Sequence, residues 1–239
     1  MERKKVGIMS LRTTIIVAVL LVALVLSVGL TTFSSISSVA QNAEQSEAYR
    51  EQLTSDVKRE LKNEVQVAVS ICEQEYAKVE SGKVTLEEAE KTAANLIREL
   101  RYDDGDGYYF VDTSEGVNVV LLGRDTEGNS RWNDTDSQGN KYVQQMIQNA
   151  QQDGGGYTQI NFAKPNETEE LPKILYTTYY SNFDWVVGTG VWIDEIDEIV
   201  ANYNANADKH LVSSITRSII FTLVMFVIIV FFAMYLGNR

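Results

Sequence analysis

One cysteine, one histidine and two prolines in 239 residues set the first limits on this chain. With Cys72 alone no intrachain disulfide can form, so a domain outside the cytoplasm must be held by its own apolar core. Cys72 itself reads as a small buried apolar residue. The lone His210 has no second His or Cys to work with, and no G-x-S-x-G or H-E-x-x-H stretch is present. The sequence therefore shows no motif that pairs a nucleophile with a base, and neither catalysis nor a cofactor is expected. Positive charge is scarce as well. The net charge is −12, and residues 34–214 alone hold 32 of the 33 acidic residues but only 15 of the 21 basic ones, a net −17. Such a surface repels polyanions, which excludes a nucleic-acid partner.

In two places charge is missing altogether. Nothing is charged between Arg12 and Glu44, and the nearly all-aliphatic run Ile15 to Leu30, with its flank through Phe33, is long enough to cross a hydrocarbon core of ~30 Å. Ile219 to Leu236 is a second uncharged run, eighteen residues between Arg217 and Arg239, also long enough to cross. A cleavable signal peptide is the alternative for the first run, since Ser38-Val39-Ala40 resembles a cleavage site, but the apolar stretch is long for that purpose. Arg3, Lys4, Lys5 and Arg12 precede the first run, while only Glu44 is charged in the fifteen residues after Leu30. Basic residues are retained on the cytoplasmic side, so both ends are expected inside. The expected organisation is a cytoplasmic start at 1–12, membrane helices at 13–33 and 215–236, an extracytoplasmic domain at 34–214, and at 237–239 the beginning of a truncated cytoplasmic region.

Within the outer segment, Leu53, Val57, Leu61, Val65, Ala68, Cys72, Tyr76 and Val79 recur at spacings of three and four with no proline or glycine between 41 and 79. This is the pattern of one long amphipathic helix continuing from the membrane. Thr85 with Glu88 forms a capping box for a second helix striped by Leu86, Ala89, Ala93, Leu96, Ile97 and Leu100. After Tyr102 the period changes to two. Tyr108 to Val111, Asn118 to Leu122, Tyr157 to Phe162, Ile174 to Tyr180 and Trp185 to Val191 read as five strands of an antiparallel sheet. The connection between the second and third strands is long and contains a short helix, about 141–151; long connections in compact domains carry function. A last helix, striped by Ile196, Ile199, Val200, Tyr203, Ala207 and Leu211, leads into the second membrane run. The Asn133-Asp134-Thr135 and Asn166-Glu167-Thr168 matches to a glycosylation signal are common by chance.

The stretch "DDGDG", residues 103–107, has the flavour of a calcium loop, but no register supplies the required glycine and Glu, so it reads as a turn. Arg124 and Arg131 stand out more. Both lie in the long connection of a strongly acidic domain, beside Trp132 and opposite strands carrying Tyr108, Phe110 and Tyr176. A guanidinium fork beside aromatic walls suits a small carboxylate, with Lys173 as a further donor, and in the empty site water or a carboxylate such as Asp125 is expected to stand in.

The stretches "DGDGYYFVDTSEG", "LLGRDTEGNSRWNDTDSQGN", "GGGYTQINFAKP", "LPKILYTTYY" and "FDWVVGTGVWIDEID" together resemble the single Cache domain, the extracytoplasmic sensor module of bacterial methyl-accepting chemotaxis receptors and some sensor kinases. The resemblance covers about residues 40–200. It implies an α+β fold, a long N-terminal helix on a five-stranded antiparallel PAS-like sheet with the ligand pocket on the opposite face, and places Lys173 and Tyr176 on a strand that lines that pocket. It also implies a small-molecule ligand, a short carboxylate or an amino acid, in a receptor of the plasma membrane; the three-and-four stripe of the long first helix, which can serve a parallel neighbour as well as the core, predicts a homodimer. A ligand would shift the last strand and the second membrane helix. A histidine kinase or cyclase sensor, or a structural membrane domain without a ligand, are the alternatives.

Overall fold

The computed structural model describes residues 11–165 and 167–237, so Arg3, Lys4, Lys5, Asn166 and the last two residues lie outside the described residues. The chain divides into two compact units: one is Arg50–Ile199, and the other comprises the residues up to Tyr49 and from Val200 onward. Two long helices enter both. The first, α1, runs Leu11–Glu80 without interruption, and the last, α4, runs Ile193–Gly237. By length and composition each is apolar enough to cross a membrane. In the terminal unit Tyr49 of α1 stacks on Tyr203 of α4, ring centroids 4.8 Å apart.

In the central unit the α1 stripe is realised, with Leu61, Val65, Ala68 and Cys72 all buried. Helix α2 (Leu86–Glu99) begins at the capping box: Thr85 Oγ1 accepts the Glu88 N–H at 3.2 Å and Glu88 Oε2 accepts the Thr85 N–H at 2.8 Å. Two N–H groups that no turn of helix can satisfy are thereby paired. Its buried arc is Ala89, Ala93, Ala94 and Ile97. That arc is turned toward Ala94, so Leu96 falls at its margin and is exposed, as are Leu86 and, in α4, Ile199.

The sheet has six strands, all antiparallel: β1 (Arg101–Tyr102), β2 (Gly107–Thr113), β3 (Asn118–Leu121), β4 (Gly156–Ala163), β5 (Glu170–Tyr180) and β6 (Trp185–Trp192). Their order is β1-β2-β6-β5-β4, with β3 also paired to β2. The strand beyond the expected five is β1, two residues long. It pairs with β2 across the "DDGDG" segment, a tight turn with Asp103 and Asp104 both at φ 51°. Strand β5 starts four residues before Ile174, upstream of Pro172. Pairing with β6 begins only at Lys173, so Pro172 sits where β5 has β4 alone as a neighbour, and a missing N–H is tolerated there.

Side-chain alternation divides the core in two. Tyr109, Val111, Ile174, Tyr176, Trp185 and Val187 face α1 and α2. Their odd-even partners Tyr108, Phe110, Leu175, Val186 and Trp192 face α3 (Tyr142–Ala150), whose Val143, Met146 and Ile147 complete a second cluster. Both sheet faces are therefore covered, which is why β2 is buried along nearly its whole length and reads as a continuous apolar run.

Candidate ligand-binding site

The face of the sheet under α3 contains a small cavity, about 20 Å³. From β2 it is lined by Tyr108 and Phe110, from β5 by Lys173 and Leu175, from β4 by Ile160 and Phe162, and from β3 by Leu121. Helix α3 contributes Tyr142 and Met146, one turn apart on its inward face, and the long connection contributes Arg131. The central strand β6 contributes almost no side chains here. A Cβ on Gly188 would lie 2.4 Å from Phe110 Cζ, and one on Gly190 would lie 2.3 Å from Leu175 Cδ2 and 3.1 Å from Lys173 Cε. The "GTG" of this strand lets neighbouring side chains fold over its backbone, which is close approach of the kind only glycine permits.

Lys173 is 2% exposed and forms no ion pair among the described residues. Its Nζ donates to the Tyr108 hydroxyl at 3.0 Å and lies 3.7 Å from the Trp192 ring centroid. Burial, reinforced by the positive charge of Arg124 and opposed by Glu195, pushes the ammonium down to about 7. Burial pushes the Tyr108 phenol the other way, up to about 12, against Arg124 and Arg131. Tyr108 is thus a neutral hydroxyl that accepts from Lys173 and retains its own proton to donate.

Arg131 is also buried, but it is paired. Its Nε donates to Asp112 Oδ1 at 3.1 Å and its Nη2 to Asp112 Oδ2, a two-pronged contact. Asp112 and Asn118 are both fully buried, and Asn118 Nδ2 donates to Asp112 Oδ1 at 3.0 Å. Burial raises the Asp112 carboxyl, with Arg131 and Asn118 pulling against it. The connection reaches this point by folding back along β3. Leu122 and Gly123 take left-handed backbone, φ 57° and 69°, ending the strand. Glu127 holds the turn: its Oε1 accepts the Leu121 and Gly123 N–H groups at 2.6 and 2.9 Å, and its Oε2 accepts Arg98 Nε at 2.9 Å. Farther on, Asp136 accepts from the Asn140 N–H at 2.9 Å and the Asn161 N–H at 3.1 Å, pinning the approach to α3 onto β4.

A family model, single Cache domain 2, matches residues 53–205. The chain belongs to that family. As a Cache protein it is 29% identical over 192 residues to the sensor histidine kinase MctS of Rhizobium johnstonii, covering 80% of this chain and 41% of MctS. It is 25% identical over 223 residues to the methyl-accepting chemotaxis protein CtpM of Pseudomonas aeruginosa, covering 93% of this chain and 38% of CtpM. The chain thus spans about two fifths of the length of these relatives. Among solved structures, the periplasmic sensor domain of a chemotaxis protein aligns with TM-score 0.56 at 27% identity, covering 59% of this chain and 97% of that one. A methyl-accepting chemotaxis protein of Vibrio parahaemolyticus aligns with TM-score 0.55 at 26% identity, covering 64% and 99%. The chain is therefore a Cache sensor domain of the kind found in chemoreceptors and sensor histidine kinases.

Of the residues singled out in the sequence, the Cache fold brings Tyr108, Phe110, Arg131 and Lys173 to one cavity. Arg124 lies beside it, its guanidinium carbon 5.8 Å from the Phe162 ring centroid. Tyr176 is not there. It is three residues from Lys173, and an odd spacing in a strand puts it on the α1 face, where its ring packs 4.9 Å from Tyr157 and its hydroxyl donates to the Gly154 carbonyl. Trp132 is also elsewhere, 39% exposed and packed over Gly116 in the β2–β3 turn. The carboxylate beside Arg131 is Asp112 rather than Asp125. Asp112 was within reach of sequence reading, being two residues past Phe110 and so on the same face. Tyr142 and Met146 required knowing which side of α3 meets the sheet.

Proposed function

We propose that this chain is the sensing and membrane-spanning portion of a bacterial chemoreceptor and that its cavity binds a short monocarboxylate. Lys173 is the observation that carries the reading. A buried ammonium without a counterion is costly, and one carboxylate beside it would remove that cost. Asp112 already balances Arg131, so a single negative charge completes the site. Arg131 Nη1, which the two-pronged contact with Asp112 does not use, and the Tyr108 hydroxyl are the further donors. The remaining walls of the cavity are aromatic or aliphatic, and no carboxylate is among its lining residues to receive an ammonium, which favours a simple acid over an amino acid. Arg124 beside the cavity attracts the anion. An open recess of about 460 Å³, lined by Arg101, Asp106, Lys164, Glu167, Trp192 and Glu195 among others and sharing Tyr108 with the cavity, is the route in.

A volume of about 20 Å³ holds about one water, less than any carboxylic acid needs, so binding must displace the side chains around Lys173. Trp192 ends β6, α4 begins at the next residue, and Lys164 Nζ bonds Asp194 Oδ2 in its first turn at 2.8 Å. Drawing Lys173 off the Trp192 ring alters the root of α4, and differential affinity for two positions of that helix is all that signalling needs. In this reading the protein is a two-pass homodimer of the cytoplasmic membrane with residues 34–214 outside, and it is not itself an enzyme. The CtpM alignment, over 93% of the chain, supports the chemoreceptor output; the MctS alignment supports a kinase output as second reading, which autophosphorylation of the full-length protein would reveal. The ligand test is thermal unfolding of the chain in detergent with acetate, propionate and alanine. Stabilisation by the two acids and none by alanine is expected; no response to either acid overturns the reading.

A further inference from the structure

We infer that a proton enters the cavity with the anion and lodges on Lys173, so that the domain responds to undissociated weak acid, carboxylate and proton together, and not to carboxylate concentration alone. This rests on the carboxylate reading of the same cavity.

Charge must balance in so small and buried a cavity. Around Lys173 stand Tyr108 on β2, Tyr142 on α3, Arg124 and Arg131 on the long connection, and Glu195 at the start of α4. Burial keeps both phenols neutral by raising them. Arg131 is matched by Asp112. What varies is Lys173. With no anion beside it, burial and Arg124 favour the neutral amine near and above neutrality. With a carboxylate at hydrogen-bonding distance the ammonium is favoured, so proton and anion each strengthen the binding of the other by the same factor. The pair is net neutral, so its entry leaves the charge of the cavity unchanged from that of the empty, deprotonated site. Two consequences follow. Above about pH 7.5 the affinity for a carboxylate should fall about tenfold per pH unit, because a proton must be taken from an increasingly dilute supply. Below about pH 6.5, where Lys173 is already protonated, it should level off.

The test is calorimetric titration of the whole chain in nanodiscs with propionate at about pH 6 and about pH 8.5, each in two buffers of unlike ionisation enthalpy. Uptake of close to one proton per propionate at the higher pH and of almost none at the lower is expected. Lys173→Arg, permanently charged, should bind propionate with no proton uptake and a flat pH profile, and Lys173→Met should show no uptake either. Propionate binding to the wild-type chain with equal affinity at both pH values and no proton exchange overturns the coupling while leaving the carboxylate reading intact. Proton uptake that survives in Lys173→Arg assigns the proton to Asp112, displaced from Arg131, and overturns the role of Lys173. If neither propionate nor acetate binds at either pH, the carboxylate reading falls and this inference with it.

Discussion

Because burial brings the Lys173 ammonium from its ordinary 10.5 to about 7 in the folded chain, the unfolded chain binds a proton between those values that the folded one does not. A depressed value of this kind contributes stability that is complete above 10.5 and is lost as pH falls through about 7. The ligand-free protein should therefore become more stable as pH is raised from about 7 toward about 10, and denaturant titrations across that range read the slope directly. Lys173→Met keeps the stem and removes the charge. It should stabilise the ligand-free chain by about 1–4 kcal/mol at neutral pH and flatten the slope; an unchanged slope would mean that Lys173 is not the titrating group. At this scale the sequence was half legible. Strand parity alone puts Tyr108, Phe110 and Asp112 on one face and separates Lys173 from Tyr176, whereas that Arg131, and not Trp132 beside it, turns inward depends on how residues 122–131 fold back along β3.

The sheet and its covering helices differ in how openly their sequences announce them. The α1 stripe, the Thr85–Glu88 box and the change to period two after Tyr102 each state a local preference that the packed structure also satisfies, so the elements could be placed before the structure. Strand β1 was hidden because two residues carry no period, and the real extent of β5 was masked by Pro172. The buried Asp112–Arg131–Asn118 network ties β2, β3 and the long connection together, and removing one member strands the others. Arg131→Ala leaves a buried carboxylate with Asn118 as its sole partner and should cost about 3–5 kcal/mol, while the double change Asp112→Leu with Arg131→Met should recover most of that. Equal losses in the single and double variants would show that the pair is not coupled. On β6, Gly188→Ala places a methyl 2.4 Å from Phe110 and 2.7 Å from Thr177 Cγ2, and overpacking of this kind should cost about 1–3 kcal/mol in chemical denaturation.

For the whole molecule, the segment of α1 just before the central unit offers a test of homodimer assembly. Along residues 41–52, Asn42, Ser46 and Tyr49 are partly covered within the terminal unit, at spacings of four and three, while Ala43, Glu44, Glu47, Ala48 and Glu51 are exposed. A parallel neighbouring copy would meet one side of this exposed arc, and a helix–helix seam repeats every three to four residues. The native thiol does not interfere. Cys72 is fully buried, and burial pushes it up to about 12, so it carries almost no thiolate at the mildly alkaline pH used for crosslinking. Single cysteines placed through 41–52 in the membrane-embedded chain should therefore crosslink with helical periodicity, strongest on one side of the exposed arc and weakest at 42, 46 and 49. Bound acid should change the yield at the strongest positions if the shift at the root of α4 reaches the neighbouring copy. A uniform yield at all positions, or none anywhere, would make the chain a monomer and confine ligand signalling to a motion within a single copy.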